Sequence, residues 1–95
     1  MDKVKQREIT RMAEEQWGTE AQKQMVVEEC AELITAISHN DRGRIGLAEL
    51  AEEVADVEIM LDFMRLYLSD DAVDQAKKIK LERLAERVKY AEEEM

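Results

Sequence analysis

Four carboxylates in this chain fall at spacings that could do chemistry. Glu29 and Glu32 stand three residues apart, as do Glu53 and Asp56. Residues three apart on a helix are surface neighbours. Each pair also borders an apolar stripe, where a charge is costly unless something compensates it. Four acids converging from two facing helices would repel one another and lose hydration. Protonating some of them is one relief; a hard divalent cation is the other. Oxygen-only ligands suit Mg²⁺, and Mn²⁺ can use the same set. Zinc is disfavoured, because the chain has one cysteine and one histidine, and Cys30 falls in an apolar stripe. A di-iron bundle site needs Glu-x-x-His on each of two helices. His39 is the one histidine, and Ala36 stands where that glutamate would be. Among 23 acidic residues such spacings also arise by chance, and Glu14 and Glu15 read as solvated acids. Two pairs, both beside apolar stripes and separated by one connector, weigh against chance.

The elements that must position these acids are helices. The 95 residues contain no proline and three glycines, with 45% hydrophobic and 4% aromatic residues. That composition suits helices packed through aliphatic side chains. A first helix is predicted from about Asp2 to Gln16, with Val4, Ile9, Met12 and Ala13 as its apolar marks. Gly18 can end it, and Thr19 with Gln22 has capping-box spacing for the next helix. That second helix spans about Glu20 to Ser38, with Val26, Cys30, Leu33, Ile34 and Ile37 on one face and Glu29 on its flank. His39 to Gly46 reads as a loop.

The third helix is predicted from Leu47 to Leu68. Leu47, Leu50, Val54, Val57, Leu61, Met64 and Leu68 alternate steps of three and four without a miss. A second stripe, Glu53, Asp56, Met60, Phe63 and Tyr67, runs beside it. One stripe can pack within the domain and the other against a partner chain. The short connector sets helices two and three antiparallel. "SDDAVD", from Ser69, supplies N-cap candidates for a fourth helix, with acids in its first turn. Lys77, Leu81, Leu84, Val88 and Ala91 follow along one side, with Lys80, Arg83 and Arg87 in a narrow arc beside them. Residues 92–95 read as a frayed tail. The expectation is one all-α domain over residues 1–95, a four-helix bundle completed by homo-oligomerisation.

The formal net charge of −9 repels nucleic acid polymers and anionic membranes. A polyanionic small molecule would need a cation to mediate its approach. Cys30 alone cannot form an intramolecular disulfide, which fits a reducing, cytoplasmic setting. The opening "MDKVKQREIT" lacks the apolar run of a secretory signal. No apolar stretch approaches the ~20 residues of a membrane span.

"EECAE" (Glu28 to Glu32) followed by "EVAD" (Glu53 to Asp56) resembles the paired E-E-x-x-E and E-x-x-D motifs of MazG-like nucleotide pyrophosphohydrolases. "WGTEAQKQM" resembles the entry to that domain, and "KLER" (Lys80 to Arg83) the K-x-x-R of its last helix. The resemblance implies an all-α fold assembled as dimers or dimers of dimers, with the site near the subunit interface. It implies Mg²⁺-dependent hydrolysis of the α–β phosphoanhydride of a nucleoside triphosphate, giving the monophosphate and pyrophosphate. Carried over by motif position, Glu29, Glu32, Glu53 and Asp56 would be both metal ligands and catalytic residues. Glu28, further from the core face, would stand behind them, and Lys80 and Arg83 would hold phosphate oxygens.

Bland roles compete for several residues. Lys80 and Arg83 could instead pair with Glu82 and Glu86 on the helix surface. Trp17 reads as a packing anchor, Gln22 and Gln24 as surface amides, Cys30 as buried and inert. The whole chain could be a non-catalytic helical interaction module, or a sensor that binds nucleotides without efficient hydrolysis.

Overall fold

The computed structural model describes residues 1–94. Its described residues form four α-helices and no strand. Helix α1 spans Lys3–Trp17, α2 Thr19–Asp41, α3 Leu47–Leu68 and α4 Asp70–Glu94. Each boundary has a local cause. The Asp2 carboxylate accepts the Lys5 amide at 2.8 Å and starts α1. Gly18, at φ 89°, breaks the chain between α1 and α2 in a conformation that favours glycine. The predicted Thr19–Gln22 capping box does not form: Gly18 is the cap, Thr19 is already helical, and Gln22 is buried. Glu49 accepts the Gly46 amide at 2.7 Å and fixes the entry to α3. The Ser69 hydroxyl accepts the Ala72 amide at 3.0 Å at the entry to α4.

Helix α2 continues three residues past the predicted Ser38. Asn40 donates its side-chain amide to the Ile45 carbonyl at 3.1 Å, so the end of the helix is tied to the connector. The connector then returns α3 along α2, and these two helices make the most extensive packing in the chain. Helix α1 packs across both, while the one helix that packs closely on α4 is α3. Residues 92–94 belong to α4 rather than to a frayed tail. No glycine or proline follows Ser69 to stop the helix; Met95 lies outside the described residues.

The hydrophobic interior is small. Among the described residues Ala36, Met60 and Phe63 are its buried apolar side chains, and of these Phe63 alone is almost fully covered, at 1% exposure. Phe63 stacks on Tyr67 at 6.3 Å between centroids, and the Lys23 ammonium lies 5.1 Å from the Tyr67 ring centre. The stripe of α3 that turns inward is therefore the one carrying Glu53, Met60 and Phe63. The uninterrupted aliphatic stripe is turned partly outward, with Leu47, Val54, Leu61 and Leu68 exposed. On α2 the inward face likewise rotates toward Glu29 and Ala36, leaving Ile34 71% exposed. Trp17 anchors nothing: it ends α1 in solvent. Cys30 is half-buried.

A polar network joins α1 to the α3–α4 joint. The Arg7 guanidinium donates to Asp62 through Nη2 at 2.9 Å and to Asp70 through Nη1 at 2.9 Å. The Thr10 hydroxyl donates to Asp62 at 2.6 Å. Arg65 adds a bond to Asp74 at 2.7 Å. Beyond this anchor α4 leans away, and a cleft of about 890 Å³ opens between α1, α3 and α4. Every described residue of α4 after Asp74 is exposed.

The chain is correspondingly open. Its Cα radius of gyration is 16.8 Å, against about 12.4 Å for a compact domain of this length. Its accessible surface is 7736 Å², against about 5,600 Å² for a compact monomer of this mass.

Candidate functional site

The α2–α3 packing brings acids from both helices together. Glu29, Glu53 and Asp56 each offer a carboxylate oxygen within 4.8 Å of the others. Glu29 arrives on the inward face of α2. Glu53 and Asp56 arrive from successive turns of α3. Glu29 and Glu53 are half-buried, and one oxygen of each, Oε2, is buried without a hydrogen-bond partner. Buried polar atoms ordinarily find partners, so two orphaned oxygens, one on each helix, are a charge demand that the described residues leave unmet.

The electrostatics follow from that placement. Burial pushes the Glu29 carboxyl above its usual range, and the charges of Glu32 and Asp56 push it further. Burial likewise raises Glu53, helped by Glu32 and Asp56. Both groups thus hold protons more tightly than free glutamate, which is the expected response of clustered acids without a counter-charge.

Three of the four predicted ligands therefore form one group. Glu32 is exposed and outside the closest set, yet its charge acts on Glu29. Glu28 is exposed, on a part of α2 away from the group. Lys80 and Arg83 lie on the exposed part of α4, and α4 has no packing with α2. Within one chain they do not join the carboxylates. Nor do they pair with Glu82 or Glu86: neither residue takes part in an ion pair among the described residues.

The donor set fits a hard cation. All three groups are carboxylate oxygens, and opposite ligands of Mg²⁺ stand about 4.2 Å apart, twice its metal–oxygen distance. The three oxygens lie within 4.8 Å of one another, a bound close to that spacing. Sequence reasoning missed the Arg7, Thr10, Asp62 and Asp70 network, because Arg7 and Asp62 are 55 positions apart and share no local spacing. No known protein family, curated protein or solved structure matches the chain. No helix among the described residues is long and apolar enough to cross a membrane.

Proposed function

We propose that the chain is a MazG-like, Mg²⁺-dependent nucleoside triphosphate pyrophosphohydrolase that works as a homo-oligomer in the cytoplasm. The observation that carries the metal half of this reading is the pair of orphaned oxygens on Glu29 and Glu53 beside Asp56. The triphosphate half rests on the resemblance of the two acidic motifs and of the K-x-x-R segment. Together they make a site where a cation resolves the repulsion of the acids and draws in a polyanion that the net charge of −9 would otherwise repel.

Glu29, Glu53 and Asp56 would hold the ion, with Glu32 as the fourth carboxylate. Bound Mg²⁺ supplies charge neutralisation on the phosphates and on the departing pyrophosphate. The protein's own part is to hold the acids on two rigid helices, so that no rearrangement is needed when charge develops. A water molecule attacks the α-phosphorus, the bond from phosphorus to the α–β bridging oxygen breaks, and the electron pair leaves with pyrophosphate. A carboxylate of the group would take the proton from that water. Lys80 and Arg83 would bind phosphate oxygens, arginine in two-pronged fashion.

The reading competes with a helical interaction module whose acids are merely solvated, which the exposed apolar stripe of α3 favours. Titration calorimetry with Mg²⁺ separates them. The expected result is one saturable process in the wild type that Asp56→Asn abolishes while the helical circular dichroism is kept. Heat that is absent from the wild type, or unchanged in the variant, favours the module.

A further inference from the structure

The accessible surface exceeds that of a compact monomer by about 2,100 Å², and every described residue of α4 after Asp74 is exposed. Its apolar side, Leu81, Leu84 and Val88, is about half exposed at each position, and α4 has no packing with α2. Basic side chains flank that side: Lys80, Arg83 and Arg87 on one edge, Lys78 and Lys89 on the other. Residues 75–90 hold six basic and two acidic side chains, a net charge of +4. The α2–α3 hairpin, residues 19–68, holds four basic and eleven acidic side chains, a net charge of −7. It too exposes aliphatic groups, Ile34 and Leu47 most of all. A basic arm with a bare apolar seam and an acidic hairpin with bare apolar side chains are complementary, yet the arm's own chain leaves them apart.

We infer that the α4 arm of each copy seats on the acidic α2–α3 hairpin of a second copy, and that this exchange delivers Lys80 and Arg83 to the carboxylate group of the partner. Reciprocal exchange closes a two-fold dimer in which each surface is used once. The excess area suits an obligate homodimer, whose interfaces bury about 2,000–5,000 Å² over both chains. The arm is anchored where it must leave its own domain, at the Arg7–Asp70 contact on its first residue. The exchange also accounts for the absence of cations from the carboxylate group within one chain. The seating stands on shape and charge alone; the role of Lys80 and Arg83 in it rests on the nucleotide reading above.

Two measurements test this. Light scattering after size exclusion gives the mass of the wild type and of Leu81→Glu/Leu84→Glu. The expected result is a dimeric or larger wild type, with association weakened about 100-fold or more in the variant and helical circular dichroism kept. Carbodiimide cross-linking of a refolded mixture of ¹⁴N and ¹⁵N chains then locates the arm. Mixed-isotope links between α4 lysines and α2–α3 acids support the exchange. A wild type that is monomeric overturns both the exchange and self-association. An oligomer whose mass is unchanged by the variant, or whose α4–hairpin links stay within one isotope, overturns the exchange and leaves self-association standing. The catalytic reading is scored separately: loss of turnover in Lys80→Ala/Arg83→Ala, restored by mixing with a Glu53→Gln chain that keeps both cations, supports delivery between copies. Failure of that mixture to restore turnover, with each variant dimeric, overturns the delivery.

Discussion

Glu53→Gln is expected to abolish the proposed Mg²⁺-dependent hydrolysis while the protein stays folded. Glutamine keeps the size of the side chain and removes its charge, so a lost ligand is the main change. Groups that merely orient a metal ligand already cost ~10–100-fold on removal, so loss of a direct ligand should exceed about 100-fold. The same substitution carries a second signature. Burial and the neighbouring charges of Glu32 and Asp56 raise the Glu53 carboxyl. A carboxyl with a raised pKa is easier to keep protonated in the folded state, so its ionisation at neutral pH opposes folding. Glutamine removes that opposition. The metal-free variant should therefore melt higher than the metal-free wild type, and added Mg²⁺ should raise the melting temperature of the wild type only. Thermal scans with chelator and with Mg²⁺ read both. Unchanged turnover in a folded variant would contradict the assignment of Glu53.

Arg7→Ala is the substitution expected to unsettle the fold most. Arg7 serves two carboxylates on α3 and α4 at once, and its removal leaves Asp62 with the Thr10 hydroxyl and little else. Breaking a fully buried pair costs ~3–5 kcal/mol; both partners here keep some contact with water, so a loss of about 2 kcal/mol is expected. For a domain of this size that lowers the melting temperature by about 10 °C. Arg7→Lys should recover only part of it, since an ammonium cannot bridge both acids with paired bonds. The pH dependence has a definite sign. Hydrogen bonds from Arg7 hold the Asp62 and Asp70 carboxyls below their usual range. Their contribution is present above the ordinary aspartate value of about 3.9 and is lost as pH falls below it. The acid side of the wild-type stability profile should accordingly be steeper than that of Arg7→Ala. Coincident melting of the two proteins would remove the network from any stabilising role.

Much of this was legible in the sequence. The bounds of α3 follow from an unbroken three-four alternation between Gly46 and Ser69, and those are where the structure puts them. The meeting of Glu29 with Glu53 and Asp56 follows from two i,i+3 pairs and one short connector. Which stripe of α3 turns inward was not legible. Both stripes have helical period, and the choice depends on what α2 presents, which periodicity within α3 cannot encode. The structure buries Phe63 and Met60 and leaves Leu47 out. The sequence treats Gln22 as a surface amide, yet it is buried; its type says nothing about a neighbour supplied by a distant segment. The same limit hid the bond between Arg7 and Asp62. On α4 the apolar side was plain, but an apolar stripe does not say whether its partner belongs to the same chain, and here α4 packs on α3 only near their joint.

Pyrophosphate release from a panel of nucleoside triphosphates, assayed with Mg²⁺ and with chelator, decides whether the carboxylate group works as proposed. The expected result is release that requires Mg²⁺, with the nucleoside monophosphate as the matching product. Release of inorganic phosphate and a diphosphate, release that persists in chelator, or no release from any triphosphate by folded protein would contradict it.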